Sequence, residues 1–247
     1  MAAQLTFLKY ECLVWFRKKE NLFWAVAWPS AWLMLMVKFF PPFPGQTHSE
    51  MLLYYYPSAI SLILLSSALT SLALSVASSK ENKVFRRFKL LPVSLYTIFI
   101  VKMSACFIFT LISIASVSLL TILMGGQLSF NVIGLFLWIF FGFFSFSGVA
   151  FFISGVTSRV SSANMLSMLF MFLFMFLSTM FFDLSAAPSY IQNISLVLPG
   201  TPFCETLRAI TSNTFSFSEY KMNIFTILVW GVATFLLAKL TFRTETE

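Results

Sequence analysis

One histidine, three scattered cysteines and no pair of carboxylates inside its apolar stretches leave this 247-residue chain without the ligands of a zinc site, a nucleophilic triad or a proton relay. Cys12, Cys106 and Cys204 fall in three regions of different character, so no disulfide within one chain is expected. The lone His48 stands beside Glu50 after a proline-rich run, where it reads as a solvated loop residue and not as a metal ligand. No G-x-x-x-x-G-K-[ST] occurs, so the chain has no P-loop to cradle a nucleoside triphosphate. Enzymatic chemistry is not expected, and any work done with ATP needs a second polypeptide to bind it.

Charge is scarce as well. Charged residues make up 10% of the chain and hydrophobic ones 59%, with a mean hydropathy of +0.88, which places it among integral membrane proteins. A net charge of +7 in a soluble protein would suggest nucleic acid, but here the basic residues gather in the short gaps between apolar stretches, so no nucleic-acid partner is expected. Topology and anionic lipid account for them.

Apolar length predicts six spans, at 22–40, 55–77, 96–124, 132–156, 164–182 and 222–242, in one all-α polytopic membrane domain covering residues 1–247. Thirteen basic residues fall on the side of the termini. They are Lys9, Arg17, Lys18, Lys19, Lys80, Lys83, Arg86, Arg87, Lys89, Lys102, Arg159, Lys239 and Arg243. Only Lys38, Arg208 and Lys221 fall opposite, which predicts that both termini are cytoplasmic. Residues 22–40 are too long for a signal-peptide core, so no cleavable signal is expected. Lys38, Lys102 and Lys239 lie near span ends, where their stems can snorkel, and Asp183 reads as a solvated helix end.

Residues 1–21 predict a helix in the membrane interface, with Leu5, Leu8, Cys12, Trp15 and Phe16 on one face and Gln4, Lys9, Glu11 and Arg17 to Lys19 as polar flanks. Pro29 should bend the first span, and the run Pro41 to Gly45 should end it in an outer loop carrying His48 and Glu50. In the second span Ser67, Ser71, Ser75 and Ser78 recur at helical spacing, which suits close packing of another helix or, alternatively, the polar lining of a passage. The fifth is rich in adaptable side chains, among them Met168, Phe172, Met175 and Phe176, which suit lipid contact, core packing or a path for amphipathic cargo. Gly142, Gly148 and Gly155 allow close contacts to the fourth. In the outer segment, 183–221, a turn at 198–202 precedes a short helix with Phe203, Leu207 and Ile210 on one face. Glu205 and Arg208, at i and i+3, can pair there.

Two stretches carry a resemblance to a known family. The first is E-N-K-V-F-R-R-F-K-L-L-P-V-S, from Glu81 to Ser94, followed by Lys102. The second is the outer turn and helix from Leu198 to Arg208. With the interfacial helix and six spans, they resemble the permease subunit of type-2 ABC exporters over essentially the whole chain. The family loop often has a Gly-Thr pair where this chain has Lys83-Val84. The resemblance implies a cytoplasmic coupling helix within 78–95 and a short external re-entrant helix before span six. It also implies a second permease subunit, identical or different, and a cytoplasmic ABC ATPase that carries the ATP and magnesium, with no cofactor on this chain. Glu81, Lys83, Arg86, Arg87 and Lys89 would make polar contacts with that ATPase, with Val84, Phe85, Phe88 and Leu91 as apolar anchors. Spans two and five would line the passage, through Ser67, Ser71, Ser75, Met168, Phe172, Met175 and Phe176. The expected protein is a multi-pass exporter of a bacterial cytoplasmic membrane, moving a drug, an antimicrobial or toxin peptide, or a lipid-linked molecule. Two other readings remain at this stage: a secondary carrier or channel that needs no ATPase, and a non-transporting peptide-immunity protein.

Overall fold

A computed structural model describes residues 2–17, 19, 23–39, 47–84, 95–181, 184 and 187–243. Every regular element among them is helical. In hydrocarbon this is the expected outcome, because a helix satisfies its own backbone donors and acceptors where no water can.

The helices are α1 (Ala2–Arg17), α2 (Trp28–Phe39, led in by a π-helical turn, Phe23–Ala27), α3 (His48–Glu81), α4 (Leu95–Leu123), α5 (Val132–Val156), α6 (Val160–Phe176), α7 (Ser189–Val197), α8 (Gly200–Thr211) and α9 (Phe217–Arg243). Among the described residues, four stretches are long and apolar enough to cross a membrane: His48–Glu81, Tyr96–Leu123, Val132–Val156 and Phe217–Phe242. The expected fourth span coincides with α5. The expected fifth, 164–182, is a shorter helix of 17 residues that starts at Val160 and stops at Phe176. It stops because the chain beyond it is held elsewhere. The Thr179 amide donates to Thr201 Oγ1 at 3.1 Å, and the Thr179 carbonyl accepts from Arg208 Nη2 at 2.8 Å. Asp183 lies outside the described residues.

The second span is longer than its apolar run, at 34 residues. His48 and Glu50 sit in its first turn and not in a loop, because Thr47 and Glu50 form a capping box. The Thr47 amide donates to Glu50 Oε2 at 2.7 Å, and the Glu50 amide donates to Thr47 Oγ1 at 3.3 Å. Midway, Ser66–Leu72 widen into a π-helix. Here hydroxyls compete for the carbonyls of the helical ladder: Ser66 Oγ donates to Ile63, Ser67 Oγ to Leu64 and Thr70 Oγ1 to Ser66.

Burial orders the helices around this one. In the most apolar window of α3, 89% is buried, against 22% for α9, so α3 is the axis and α9 the rim. Helices α2, α4, α5, α6 and α8 pack around α3, while α9 packs chiefly on α5. The outward faces of α4 and α9, with Leu119, Leu123, Phe225, Val232 and Leu236 exposed, present the apolar surface that lipid requires. Between α4 and α5 the turn is tight. Gly125, at φ +92, takes the left-handed position, and the amides of Gly125 and Gly126 return to the carbonyls of Ile122 and Thr121. Asn131 then opens α5 by accepting from the amides of Ile133 and Gly134 at 3.0 and 3.1 Å.

Candidate functional site at the basic end of the bundle

The basic end is organised by the last residues of α3. Lys80 Nζ donates to the carbonyls of Ser154, Gly155 and Thr157 at 3.1, 2.7 and 2.7 Å. These carbonyls belong to the C-terminus of α5, where unpaired acceptors gather negative partial charge. The ammonium also lies 5.7 Å from the ring centroid of Phe242 on α9. Glu81 Oε2 accepts from the Val160 amide at 2.8 Å, capping the N-terminus of α6, where Arg159 supplies no side-chain cap of its own. Glu81, assigned above to the ATPase, therefore has a partner within the chain. Its side chain remains exposed.

Asn82 closes α3 by donating from Nδ2 to the Ser78 carbonyl at 2.9 Å, and Lys83 follows at φ 55. That is the left-handed position where glycine is usual, and where the resembling family often has one. Lys83→Gly is expected to raise stability by about 1 kcal/mol, read as a later midpoint in SDS-induced unfolding. Val84 is half-buried. Phe85, Arg86, Arg87, Phe88, Lys89 and Leu91 lie outside the described residues, as does the expected coupling helix.

A second polar cluster ties α1 to the bundle. Lys102 Nζ donates to Glu11 Oε1 at 2.9 Å and to Ser75 Oγ at 3.1 Å, with both charged residues buried. Lys102 thus ends on a carboxylate of α1, where snorkelling to water was expected; Lys38 and Lys239 remain exposed. Glu11 is not on a polar flank. It shares the buried face with Leu8, Cys12 and Trp15, and its spacing of three and four residues from Leu8 and Trp15 was the signal for that. Trp15 itself is buried against Phe109, with ring centroids 5.7 Å apart. So α1 packs mainly against α4.

The serine stripe faces the chain's own helices. Ser67 Oγ accepts from Thr110 Oγ1 at 2.9 Å, Ser71 is buried, and Ser75 receives Lys102. Contacts between α3 and α4 take up the hydroxyls of Ser67 and Ser75. Helix α6 has two faces: Ala163, Ser167, Met171 and Phe174 are buried, while Met165, Leu169, Phe172 and Phe176 are exposed. Phe172 and Phe176 stack at 6.0 Å, and Met168 and Met175 are half-buried against the core.

At the opposite end α8 buries Phe203, Leu207 and Ile210, the face expected from their spacing. Trp138 Nε1 donates to the Phe203 carbonyl at 3.0 Å and its ring stacks on Phe203, fastening α8 to α5. Glu205 and Arg208 do not form an ion pair with each other; both turn to Thr179. Arg208 donates to the Thr179 carbonyl and, at 3.3 Å, to Ser58 Oγ, and lies over the Tyr54 ring at 4.9 Å. Glu205 accepts from Thr179 Oγ1 at 3.4 Å. Burial pushes the Glu205 carboxyl above its usual range, partly offset by the Arg208 charge and by hydrogen bonds from Thr179 and Asn223. A cleft of about 320 Å³ lies beside Arg208, lined by Glu50, Leu53, Tyr54, Thr211 and Ser212.

Among the described residues, four helices of membrane-crossing length and apolar character are the mark of a multi-pass membrane component. A comparison with curated proteins finds no match. Against protein-family models, residues 34–240 match the family described as ABC-2 family transporter protein. Members are membrane components of ABC transporters, which work with an ABC ATPase subunit. With most of its length inside that match, the chain belongs to the ABC-2 transporter family, as a transmembrane permease.

Proposed function

We propose that this permease is the membrane-spanning subunit of an ATP-driven exporter of hydrophobic or amphipathic cargo, in the cytoplasmic membrane of a bacterium. The observation that carries this reading is the position of the basic segment. It begins directly at the end of α3, the most deeply buried of the four membrane-length helices among the described residues, so a force applied at residues 83–94 acts on the axis of the fold. The chain has no nucleotide site of its own, and that force comes from a cytoplasmic ATPase closing around ATP and magnesium. Six spans follow if α2 with its π-turn and α6 cross as well, each helped by flanking residues. Both termini then lie in the cytoplasm with the thirteen basic residues.

In this reading Phe85, Phe88 and Leu91 seat in a shallow cleft of the ATPase, with Arg86, Arg87 and Lys89 as polar contacts around them. A second permease subunit, identical or different, completes the passage. Phe172 and Phe176 on the exposed face of α6, with Met168 and Met175 behind them, are the flexible apolar wall along which cargo moves.

Co-purification tests the reading. A tagged chain brings down a cytoplasmic ABC ATPase from membranes, and changing Phe85, Arg86 and Arg87 together to Ala lowers its affinity for the chain at least about thirtyfold, the loss of a hot-spot cluster worth about 2 kcal/mol or more. An unchanged recovery with the triple variant contradicts the assignment of this segment.

A further inference from the structure

The turn between α5 and α6, residues 157–159, has no cap of its own on the α6 side, since Arg159 makes no side-chain bond there. Both helix ends at this turn are finished by adjacent residues of α3. Lys80 places its charge on three carbonyls at the C-terminus of α5, and Glu81 places its carboxylate on the first amide of α6. Each sign matches the helix end that it meets. Gly155, whose carbonyl Lys80 holds, also presses against α9: a Cβ at this position would lie 2.1 Å from Thr241 Oγ1. Two consecutive side chains therefore link the end of α3 to α5 and α6, and through Lys80 to Phe242 and the α5–α9 contact. Two residues after Glu81 the chain turns through the left-handed Lys83 into the basic segment.

We propose that Lys80 and Glu81 are positioning residues for transport: they make the 157–160 turn move with the end of α3, so that a stroke received at residues 83–94 reaches α6 as well as α3. Neither side chain needs to touch the ATPase or the cargo to do this. The inference rests on the proposed ATPase coupling, and it assigns Glu81 to an acceptor role inside the chain. An acceptor survives Glu81→Gln, because the amide oxygen still receives the Val160 proton, and is lost in Glu81→Ala. A charge contact with the ATPase is lost in both. Lys80→Arg keeps donors and charge at the α5 terminus, and Lys80→Met keeps only the stem.

The test uses the assembled complex of chain and ATPase subunit in liposomes, with Cys12→Ser and Ser161→Cys in the chain. The rate of labelling of position 161 by a membrane-impermeant maleimide is compared with and without ATP and vanadate. The expected result is a change of about fivefold or more, the scale of coupling between linked sites. It is retained in Lys80→Arg and Glu81→Gln, and lost in Lys80→Met and Glu81→Ala, while Lys80→Met still hydrolyses ATP. Two results overturn the inference: an unaltered labelling response in both Lys80→Met and Glu81→Ala, or a parallel loss of assembly, hydrolysis and response in Lys80→Met, which reduces the contacts to holding the fold. If the Phe85, Arg86 and Arg87 triple variant also leaves hydrolysis and response untouched, the ATPase reading has failed and the inference falls with it. If the triple variant uncouples while the Lys80 and Glu81 variants behave as the parent, only the inference has failed.

Discussion

Lys102→Met is expected to destabilise the chain by about 3–5 kcal/mol, because it leaves the Glu11 carboxylate buried without its cation. Glu11→Ala should cost a similar amount for the converse reason. Together, Glu11→Ala and Lys102→Met should cost much less than the sum, since the pair's attraction is largely offset by the cost of taking both charges out of water. A double-mutant cycle in SDS-induced unfolding measures this: the cost of the double variant minus the two single costs should be large and negative. The same variants should release α1 before the rest of the bundle unfolds. Trp15 reports that step, since it leaves its buried place beside Phe109 when α1 undocks. Additive costs would show that Glu11 and Lys102 are not partners.

Gly148→Ala is the second large effect. A Cβ at this position would stand 2.1 Å from Thr234 Oγ1 and 3.1 Å from Phe235 Cδ2, so α5 and α9 must separate or Thr234 must rotate. Rotation is opposed, because that hydroxyl already donates to the Trp230 carbonyl at 2.6 Å within the helix. Overpacking of this kind costs about 1–3 kcal/mol, and Gly148→Leu should exceed it. Thr234→Ala in the same chain removes the clashing oxygen and should restore most of the loss. Gly155, seven residues on, meets Thr241 in the same way at 2.1 Å, so Gly155→Ala with and without Thr241→Ala repeats the experiment one heptad further along the same seam.

The helical class, the close approach at these glycines and the buried face of α8 could be read from spacing, because all three are properties of one helix seen from its side. The apolar run of 132–156 matched its helix because Asn131 and Thr157 bound it sharply in the sequence. Helix α3 was underestimated at its N-terminal end. Polar His48, Ser49 and Glu50 look like loop, and only the T-x-x-E spacing at Thr47–Glu50 marks them as a capped first turn. The early stop of α6 left no local mark, since the groups that hold Thr179 come from Thr201 and Arg208, which lie more than 20 residues away. The same holds at the basic end. Lys80 and Glu81 looked like part of a charge run because their partners lie 74 to 79 residues further on. Glu11 was misplaced for a simpler reason: a carboxylate on an apolar face is assigned to the flank unless its cation is known, and Lys102 lies 91 residues away.

The central claim is that energy enters at residues 83–94 from a separate ATPase. Its most direct measurement is ATP hydrolysis by that ATPase subunit in liposomes, with and without this permease. The account predicts that the permease raises hydrolysis and that changing Phe85, Arg86 and Arg87 to Ala returns it to the level of the free subunit. A chain that neither binds an ATPase nor alters its hydrolysis, yet moves cargo down an ion gradient in liposomes by itself, would contradict it.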